Sequence, residues 1–229
     1  PSMTQVVLAL AVFLVLHSVP ALPTIRGKLT AALGLRLYLL VYSTTSVALL
    51  IWVLHAAWST EYVELWRPDS RNALANFVLS PLGLFLVTAG LISPNPASVS
   101  FMKGTVPGAI TTITRHPVLW GFLLWSVGHV AANGDMRSLL VFGGLGLFSA
   151  VGILVAEKRA RRRMGEDWLP VERSTSIFPL SALFSGRAKL RLDGHLVAAL
   201  AVTLLVTFWL LAGGHAVLFG ADPILALDI

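Results

Sequence analysis

The stretch that decides the fold of this chain reads TRHPVLWGFLLWSVGHVAA and covers residues 114–132. Its polar start ends at Pro117, and the apolar run 118–132 that follows contains no Asp, Glu, Lys or Arg. Proline is favoured in the first turn of a helix, because its missing N–H would have no partner there. The stretch therefore predicts a membrane helix that begins near His116, with the positive charge of Arg115 at the membrane–water interface.

The composition assigns the chain to the polytopic membrane proteins. Hydrophobic residues make up 56% of its 229 residues and charged residues 12%, with a mean hydropathy of +0.79, whereas a soluble domain carries about 25% charged residues. There is no cysteine, which excludes disulfides and thiolate ligands. The net charge of +6 comes from loops that flank the apolar runs, so we expect membrane lipids and not nucleic acid as partners.

Six apolar runs are candidate membrane spans, and together they predict an all-α, polytopic membrane helix bundle. They cover residues 3–19, 37–57, 74–92, 118–132, 139–156 and 195–213. A spanning helix needs about 20 apolar residues, with a range of roughly 17–25, so the fourth run is short unless it takes in residues 111–116 and Asn133. We expect a single membrane domain over residues 3–229 and interpret Pro1-Ser2 as a protease-site remnant.

The distribution of Lys and Arg predicts the orientation of these spans. The loops and the tail after the runs hold, in chain order, three, two, two, one, nine and no Lys or Arg residues. Alternate loops therefore hold 14 such residues against 3. An excess of Lys and Arg in short loops marks the cytoplasmic side. We expect both termini on the non-cytoplasmic side of a bacterial inner (cytoplasmic) membrane.

Six histidines fall into two layers at the ends of the predicted spans. The cytoplasmic layer contains His17, His116 and His195, and the outer layer contains His55, His129 and His215. His116 and His129 lie 13 residues apart, which is roughly 20 Å along a helix, so they cannot bind one metal ion. Ionisable residues within spans are costly to bury and are functional candidates. Of the six, His17 and His116 are the strongest candidates.

Two neutral imidazoles in a bundle without cysteine are natural axial ligands for a haem. We therefore predict His17 and His116 as iron ligands and as the catalytic candidates, with His129 as a further cofactor-binding candidate. A cation at a helix N-terminus opposes the helix dipole, so Arg115 should have an anionic partner. A haem propionate, a lipid phosphate and a substrate carboxylate are the alternatives. Zinc is less favoured, because no carboxylate is clearly placed beside the three histidines of one layer.

The segment 157–163 follows the fifth run and contains five of the basic residues. It is predicted to continue that helix into the cytoplasm. Such a segment is typical of an anchor that touches anionic lipid heads, and binding of an anionic ligand group is the alternative.

Several short motifs of this chain are typical of one protein family. They are His17-Ser18, Leu91-Ile92-Ser93-Pro94-Asn95-Pro96, Ile113-Thr114-Arg115-His116-Pro117, Trp120-Gly121, Gly128-His129, Asn133-Gly134-Asp135, Gly165-Glu166-Asp167, Thr175-Ser176 with Pro179, and Gly186-Arg187. Taken together, these motifs resemble the NnrU family, which includes the plastid zeta-carotene isomerases. They cover almost the whole chain. The chain departs from the pattern at Ser174, where the family is expected to carry Arg, and its Asn-Gly-Asp stretch resembles the bacterial branch.

The resemblance implies a haem b protein with an apolar cavity for a lipophilic molecule or a diatomic gas. In the isomerase branch, reduction of the iron is thought to free a ligand so that iron engages the polyene, and the proposed haem histidines fall on His17 and His116 here. The NnrU branch is associated with denitrification and nitric-oxide metabolism. The implied functions are thus a redox-gated double-bond isomerase, or a non-catalytic protein that handles haem or nitric oxide.

A second resemblance is to the isoprenylcysteine and phospholipid methyltransferases. Arg115-His116-Pro117, Gly121 and the later Gly165-Glu166-Asp167-Trp168 are similar to the region that holds S-adenosylmethionine in those enzymes. Leu119 stands where they usually carry Tyr, and Glu157-Lys158 where they usually carry two glutamates. An S-adenosylmethionine-dependent membrane methyltransferase is therefore the alternative function. The sequence leaves the oligomeric state open, as well as whether the chain is an enzyme.

Overall fold

A computed structural model of the chain describes residues 2–104 and 106–227, and these residues form helices and loops without a β-strand. In chain order the helices are α1 (Met3–Ser18), α2 (Pro23–Leu33), α3 (Leu35–Trp58), α4 (Ser70–Ile92), α5 (Pro117–Asn133), α6 (Met136–Ser138), α7 (Gly144–Met164), α8 (Trp168–Ser174), α9 (Ser181–Phe184), α10 (Gly194–Trp209) and α11 (His215–Phe219). Short 3₁₀ turns cover Val19–Ala21, Ala109–Thr112, Gly165–Asp167 and Leu225–Leu227, and π-helical turns cover Leu139–Gly143 and Leu210–Gly214. Pro1, the first residue of the predicted remnant, lies outside the described residues.

Among the described residues, five helical segments are long and apolar enough to cross a membrane. They are Met3–Ala21, Leu35–Trp58, Ser70–Ile92, Met136–Ser174 and Gly194–Phe219. These segments confirm an all-helical membrane protein, and they coincide with five of the six predicted spans. The fourth predicted span is α5, whose 17 residues rise about 26 Å, less than the roughly 30 Å of a hydrocarbon core. The count of six spans, the outward termini and the bacterial inner membrane stay predictions.

The chain divides into two compact units, and each is described by itself. The first unit comprises Pro1–Arg67 and Gly134–Gly144, and the second comprises Pro68–Asn133 and Leu145–Ile229. The single domain expected over residues 3–229 stays a prediction.

In the first unit, α1 packs against α3 through small and apolar side chains. Val6, Ala9 and Phe13 of α1 are buried, and their spacing of three and four residues puts them on one helix face. The loop after α3 is attached to the stretch before α6, because the N–H groups of Leu65 and Trp66 both donate to the carbonyl of Gly134. This unit holds His17 near the end of α1.

In the second unit, α4 and α5 pack with their backbones in near contact. Gly83 and Gly90 of α4 and Gly121 and Gly128 of α5 are each seven residues apart. A Cβ atom added at Gly83 would lie 2.6 Å from the carbonyl oxygen of Gly121, and one added at Gly121 would lie 2.5 Å from that of Gly83. Small residues allow membrane helices to approach this closely. We call these four residues the glycine seam, and it fixes where α5 begins relative to the end of α4.

Candidate functional site

His116 lies at the centre of a buried polar cluster in the second unit. Its side chain is fully buried, and it directly precedes α5. Its ring Nδ1 lies 2.9 Å from the hydroxyl of Ser98, in the loop after α4. Its Nε2 lies 2.8 Å from a carboxylate oxygen of Glu157, in α7. The other oxygen of Glu157 pairs with the guanidinium of Arg115. We call Ser98, Arg115, His116 and Glu157 the His116 cluster.

The charges of the cluster fix the protons on the imidazole ring. An ionised carboxylate only accepts hydrogen bonds, and Glu157 pairs with a permanent cation. The Nε2 of His116 therefore donates to Glu157, which leaves Nδ1 to accept the hydroxyl proton of Ser98. Burial lowers the pKa of His116, the hydrogen bond and charge of Glu157 oppose that change, and the charge of Arg115 adds to it. The net lowering keeps the ring neutral at pH 7.

The side chain of Arg115 is engaged by groups of the protein itself, through hydrogen bonds, an ion pair and an aromatic ring. It is only 3% exposed, and its Nε donates to the hydroxyl of Thr175 at 2.8 Å. A terminal nitrogen donates to the carbonyls of Thr175 and Glu172, and the guanidinium lies 4.7 Å from the ring centre of Trp168. The anion that pairs with Arg115 is thus Glu157 of the same chain. The role of Arg115 toward a haem propionate stays a prediction.

The segment that follows α8 is attached to the residues just before α5. The backbone N–H of Arg115 donates to the carbonyl of Ser176 at 2.8 Å. The hydroxyl of Thr114 and the indole N–H of Trp120 both donate to the carbonyl of Ile177, at 2.7 and 2.8 Å. Several of the short motifs in the sequence therefore belong to one hydrogen-bond network around the cluster.

His17 has a different environment, in the first unit. Its Nδ1 lies 3.0 Å from the hydroxyl of Ser46, and the hydroxyl of Tyr42 donates to its backbone carbonyl at 2.7 Å. Its ring stacks on Phe13, with ring centres 5.3 Å apart. Because His17 and His116 belong to different units, their pairing on one iron stays a prediction.

His129 is bound within the pair of helices α4 and α5. Its Nδ1 lies 2.9 Å from the carbonyl of Trp125 and 3.4 Å from the hydroxyl of Ser80. Its own carbonyl accepts the side-chain amide of Asn133 at 2.7 Å. These contacts tie the ring into the helix pair, and its predicted role in cofactor binding stays a prediction. Within residues 2–104 and 106–227, no group of three or more His, Asp or Glu side chains is placed to hold a metal ion.

Sequence reasoning missed two members of the cluster. The sequence does not mark Ser98 as a candidate, and it presents Glu157 only as the start of the basic segment and as part of the methyltransferase resemblance. A signal for Glu157 was available, since it is the first charged residue after the apolar run 139–156 and acids at such depth are functional candidates. Ser98 gives no such signal, because a serine in a loop is common.

Comparison with known proteins gives one family and two curated relatives. The family model described as "NnrU protein" matches residues 5–223. The chain is 27% identical over 201 residues to the chloroplastic 15-cis-zeta-carotene isomerase of Arabidopsis thaliana, covering 84% of this chain and 53% of the relative. It is 25% identical over 193 residues to the chloroplastic 15-cis-zeta-carotene isomerase of Zea mays, covering 80% of this chain and 51% of that relative. The chain thus spans about half the length of these relatives. No solved structure matches it.

Proposed function

The chain belongs to the NnrU family, and from this premise we propose that it is a membrane isomerase that changes the geometry of a double bond in a lipophilic cis-polyene. The two curated relatives carry the name 15-cis-zeta-carotene isomerase, which supports the reaction class. The observation that carries the proposal is the His116 cluster, a proton-carrying centre buried in an apolar helical unit. Ionisable groups are costly to bury in membrane proteins and mark functional sites by default.

The reaction leaves the atoms of the substrate unchanged, but it requires one π-bond to open for the time of a rotation. A proton added to one alkene carbon opens that bond, and the resulting cation is spread over the conjugated chain. Loss of the same proton after the rotation restores the double bond. The proposed cycle therefore needs a group that gives a proton and takes it back in one place, without any oxidant or reductant.

Each residue of the His116 cluster has a separate part in this cycle. Ser98 is partly exposed and forms the end that a substrate can approach. In the protonated form of the ring, which is the minor form at pH 7, the Nδ1 of His116 gives its proton through the hydroxyl of Ser98 and takes it back by the same route. Glu157 accepts from Nε2 and offsets the positive charge of the protonated ring, while Arg115 holds the carboxylate in position. The lowered pKa of His116 makes its protonated form a stronger acid. A positioned acid–base group contributes about 10²–10⁴-fold to a rate.

Haem b is a separate proposal, and the described residues do not fit it at His116 as they stand. Both ring nitrogens of this buried side chain already lie within hydrogen-bond distance of partners, so iron would have to displace Ser98 or Glu157. No step of the proposed cycle passes through haem.

Absorption spectra of the oxidised and reduced protein test whether haem is bound. A low-spin, six-coordinate spectrum weakened in His17→Ala and His116→Ala would support haem. A colourless protein that takes up no stoichiometric haem would exclude it, together with a haem-dependent nitric-oxide role.

The methyltransferase alternative gains no support from the family and relatives reported above. The glutamate at the position that resembles those enzymes, Glu157, is already engaged by Arg115 and His116. Saturable binding of S-adenosylmethionine by the purified protein would be needed to favour that alternative.

The isomerase proposal is tested with the full chain in lipid vesicles that contain 15-cis-zeta-carotene. Isomers are separated by chromatography and identified by absorption. We expect the wild-type protein to accelerate the conversion, and we expect Glu157→Gln and His116→Gln to lower the rate by about 100-fold. His55→Ala, which changes an exposed histidine, is the matched control and should keep the rate. Absence of any acceleration by the wild-type protein would contradict the function.

The proton step has its own readout. In deuterated water the hydron that the cluster gives and takes back is a deuteron, so the conversion should be several-fold slower than in ordinary water. An equal rate in the two solvents would contradict the proton route and leave the reaction class intact.

A further inference from the structure

A cavity of about 360 Å³ lies in the second unit, beside the start of α10. One wall is formed by residues 106–109 and the other by residues 191–195, with Pro94 beside them. Binding cavities for small molecules hold roughly 300–1,000 Å³, so this one suits a small polar group. Neither the proposed cycle nor the His116 cluster uses any of these residues.

The walls of the cavity include one cationic side chain, Arg191, and one anionic side chain, Asp193. Arg191 is exposed, and its guanidinium donates to the carbonyl of Pro107 at 3.0 Å, which uses one of five donors. The carboxylate of Asp193 accepts the N–H groups of Ala109 at 2.8 Å and Leu196 at 2.9 Å, and a carboxylate has about four acceptor positions. Both groups therefore keep capacity for a ligand.

Asp193 is ionised under ordinary conditions. Partial burial alone would raise its pKa, but the backbone N–H donors led by Ala109 and the nearby His195 outweigh that and lower the pKa below its usual value. His195 lies 3.8 Å from the carboxylate.

The two charges are attached to one short backbone stretch. Arg191 donates to the carbonyl of Pro107 and Asp193 accepts from the N–H of Ala109, and these two residues are two positions apart. Two residues span at most about 7 Å, so both charges lie beside the same part of the cavity wall.

The cavity also adjoins a candidate membrane span. Its last residues begin the segment Gly194–Phe219, which is long and apolar enough to span. Two apolar side chains of its walls are strongly exposed, Leu192 at 80% and Val106 at 73%. A molecule with a charged head and an apolar tail would satisfy both the charges and these side chains.

We propose that this cavity binds the headgroup of a phospholipid that carries a phosphate and a primary ammonium, with the phosphate on Arg191 and the ammonium on Asp193. A phosphoethanolamine group has both charges. A choline headgroup cannot donate a hydrogen bond to Asp193, and a glycerol headgroup offers that carboxylate no cation. The cavity should therefore prefer ethanolamine lipids to choline and glycerol lipids.

Native mass spectrometry of the full chain, titrated with three phospholipids of identical acyl chains, tests the preference. We expect the ethanolamine lipid to bind about tenfold more tightly than the other two, as one charge-assisted hydrogen bond allows. Arg191→Ala should weaken all three lipids. Asp193→Ser should remove the preference for ethanolamine while a serine still caps α10. Lys189→Ala, an exposed cation outside the cavity, is the matched control.

Equal affinity for the three lipids, or an effect of Lys189→Ala as large as that of Arg191→Ala, would overturn the proposal. Soluble glycerophosphoethanolamine distinguishes the source of the ligand. Failure to compete identifies the membrane lipid, and full competition at the lipid's own concentration would overturn the lipid assignment in favour of a free phosphoethanolamine ester.

Discussion

His116 and His17 are both predicted at cytoplasmic ends of spans, but their surroundings differ in kind. The ring of His116 is fully buried and lies between a hydroxyl and a carboxylate that pairs with a guanidinium. His17 is partly buried, and the partners described for it are hydroxyl groups and aromatic rings. Position along a span therefore says little about the chemistry of a histidine. The charges packed around the ring decide it.

Loss of the Glu157 carboxylate should have the largest effect, because it leaves the guanidinium of Arg115 buried without its anion. We expect Glu157→Leu to lower the free energy of unfolding by about 3–5 kcal/mol, as for other broken buried ion pairs. Denaturation in detergent micelles, followed by circular dichroism, measures it. In the control Arg115→Met/Glu157→Leu neither charge of this ion pair remains, so most of the loss should be recovered. A single-variant loss below about 1 kcal/mol, typical of a surface pair, would contradict this account.

Direct comparison of the two histidines should give the next largest effect. His116→Ala leaves a buried carboxylate oxygen without its partner and also a cavity, so we expect a loss of about 3 kcal/mol. His17→Ala removes a hydrogen bond in partly exposed surroundings and should cost about 1 kcal/mol. The same unfolding measurement compares them. Equal losses would show that the two environments do not differ in the way described.

The glycine seam offers a test that perturbs the second unit alone. We expect Gly121→Ala to cost about 1–3 kcal/mol, because its methyl group would meet the backbone of α4 and overpacked interfaces lose this much. Gly27→Ala in α2 is the control, since a Cβ there meets nothing within 4 Å. It should be neutral or slightly stabilising. A neutral Gly121→Ala would mean that α5 can shift away from α4 without loss.

The smallest expected effect is a pH dependence that belongs to His116. Burial lowers its pKa, with Glu157 opposing the change, so the unfolded chain takes up a proton at a higher pH than the folded chain. Stability should therefore fall as the pH drops below about 6.5, the ordinary histidine value. Unfolding at pH 7 and pH 5 should show a smaller loss in His116→Gln than in the wild-type protein. The control His55→Gln should keep the wild-type loss.

The helices could be predicted because their signals are local. Apolar runs gave five of the spanning segments, and Pro117 marked the start of α5. The His116 cluster could not be predicted, since its contacts join residues that lie 18 and 41 positions apart along the chain. Arg115 illustrates the limit. Its place at the start of a helix predicts that it needs an anionic partner. The sequence favours an external group for this role, because Glu157 directly precedes five cations in a segment that is typical of a lipid anchor.

The glycine seam sets the axial register of α5 to within one residue. A Cβ at Gly90 would meet Val118 and Pro117 within 2.8 Å, so only a residue without a side chain allows the first turn of α5 to rest beside the last turn of α4. A slip of one position would rotate His116 by about 100° around the helix axis and turn its ring away from Ser98. Chains with the same buried cluster could therefore be recognised from sequence by two pairs of glycines, each with a spacing of seven residues. The first pair ends two residues before the end of a helix, and the second starts four residues after an Arg-His-Pro.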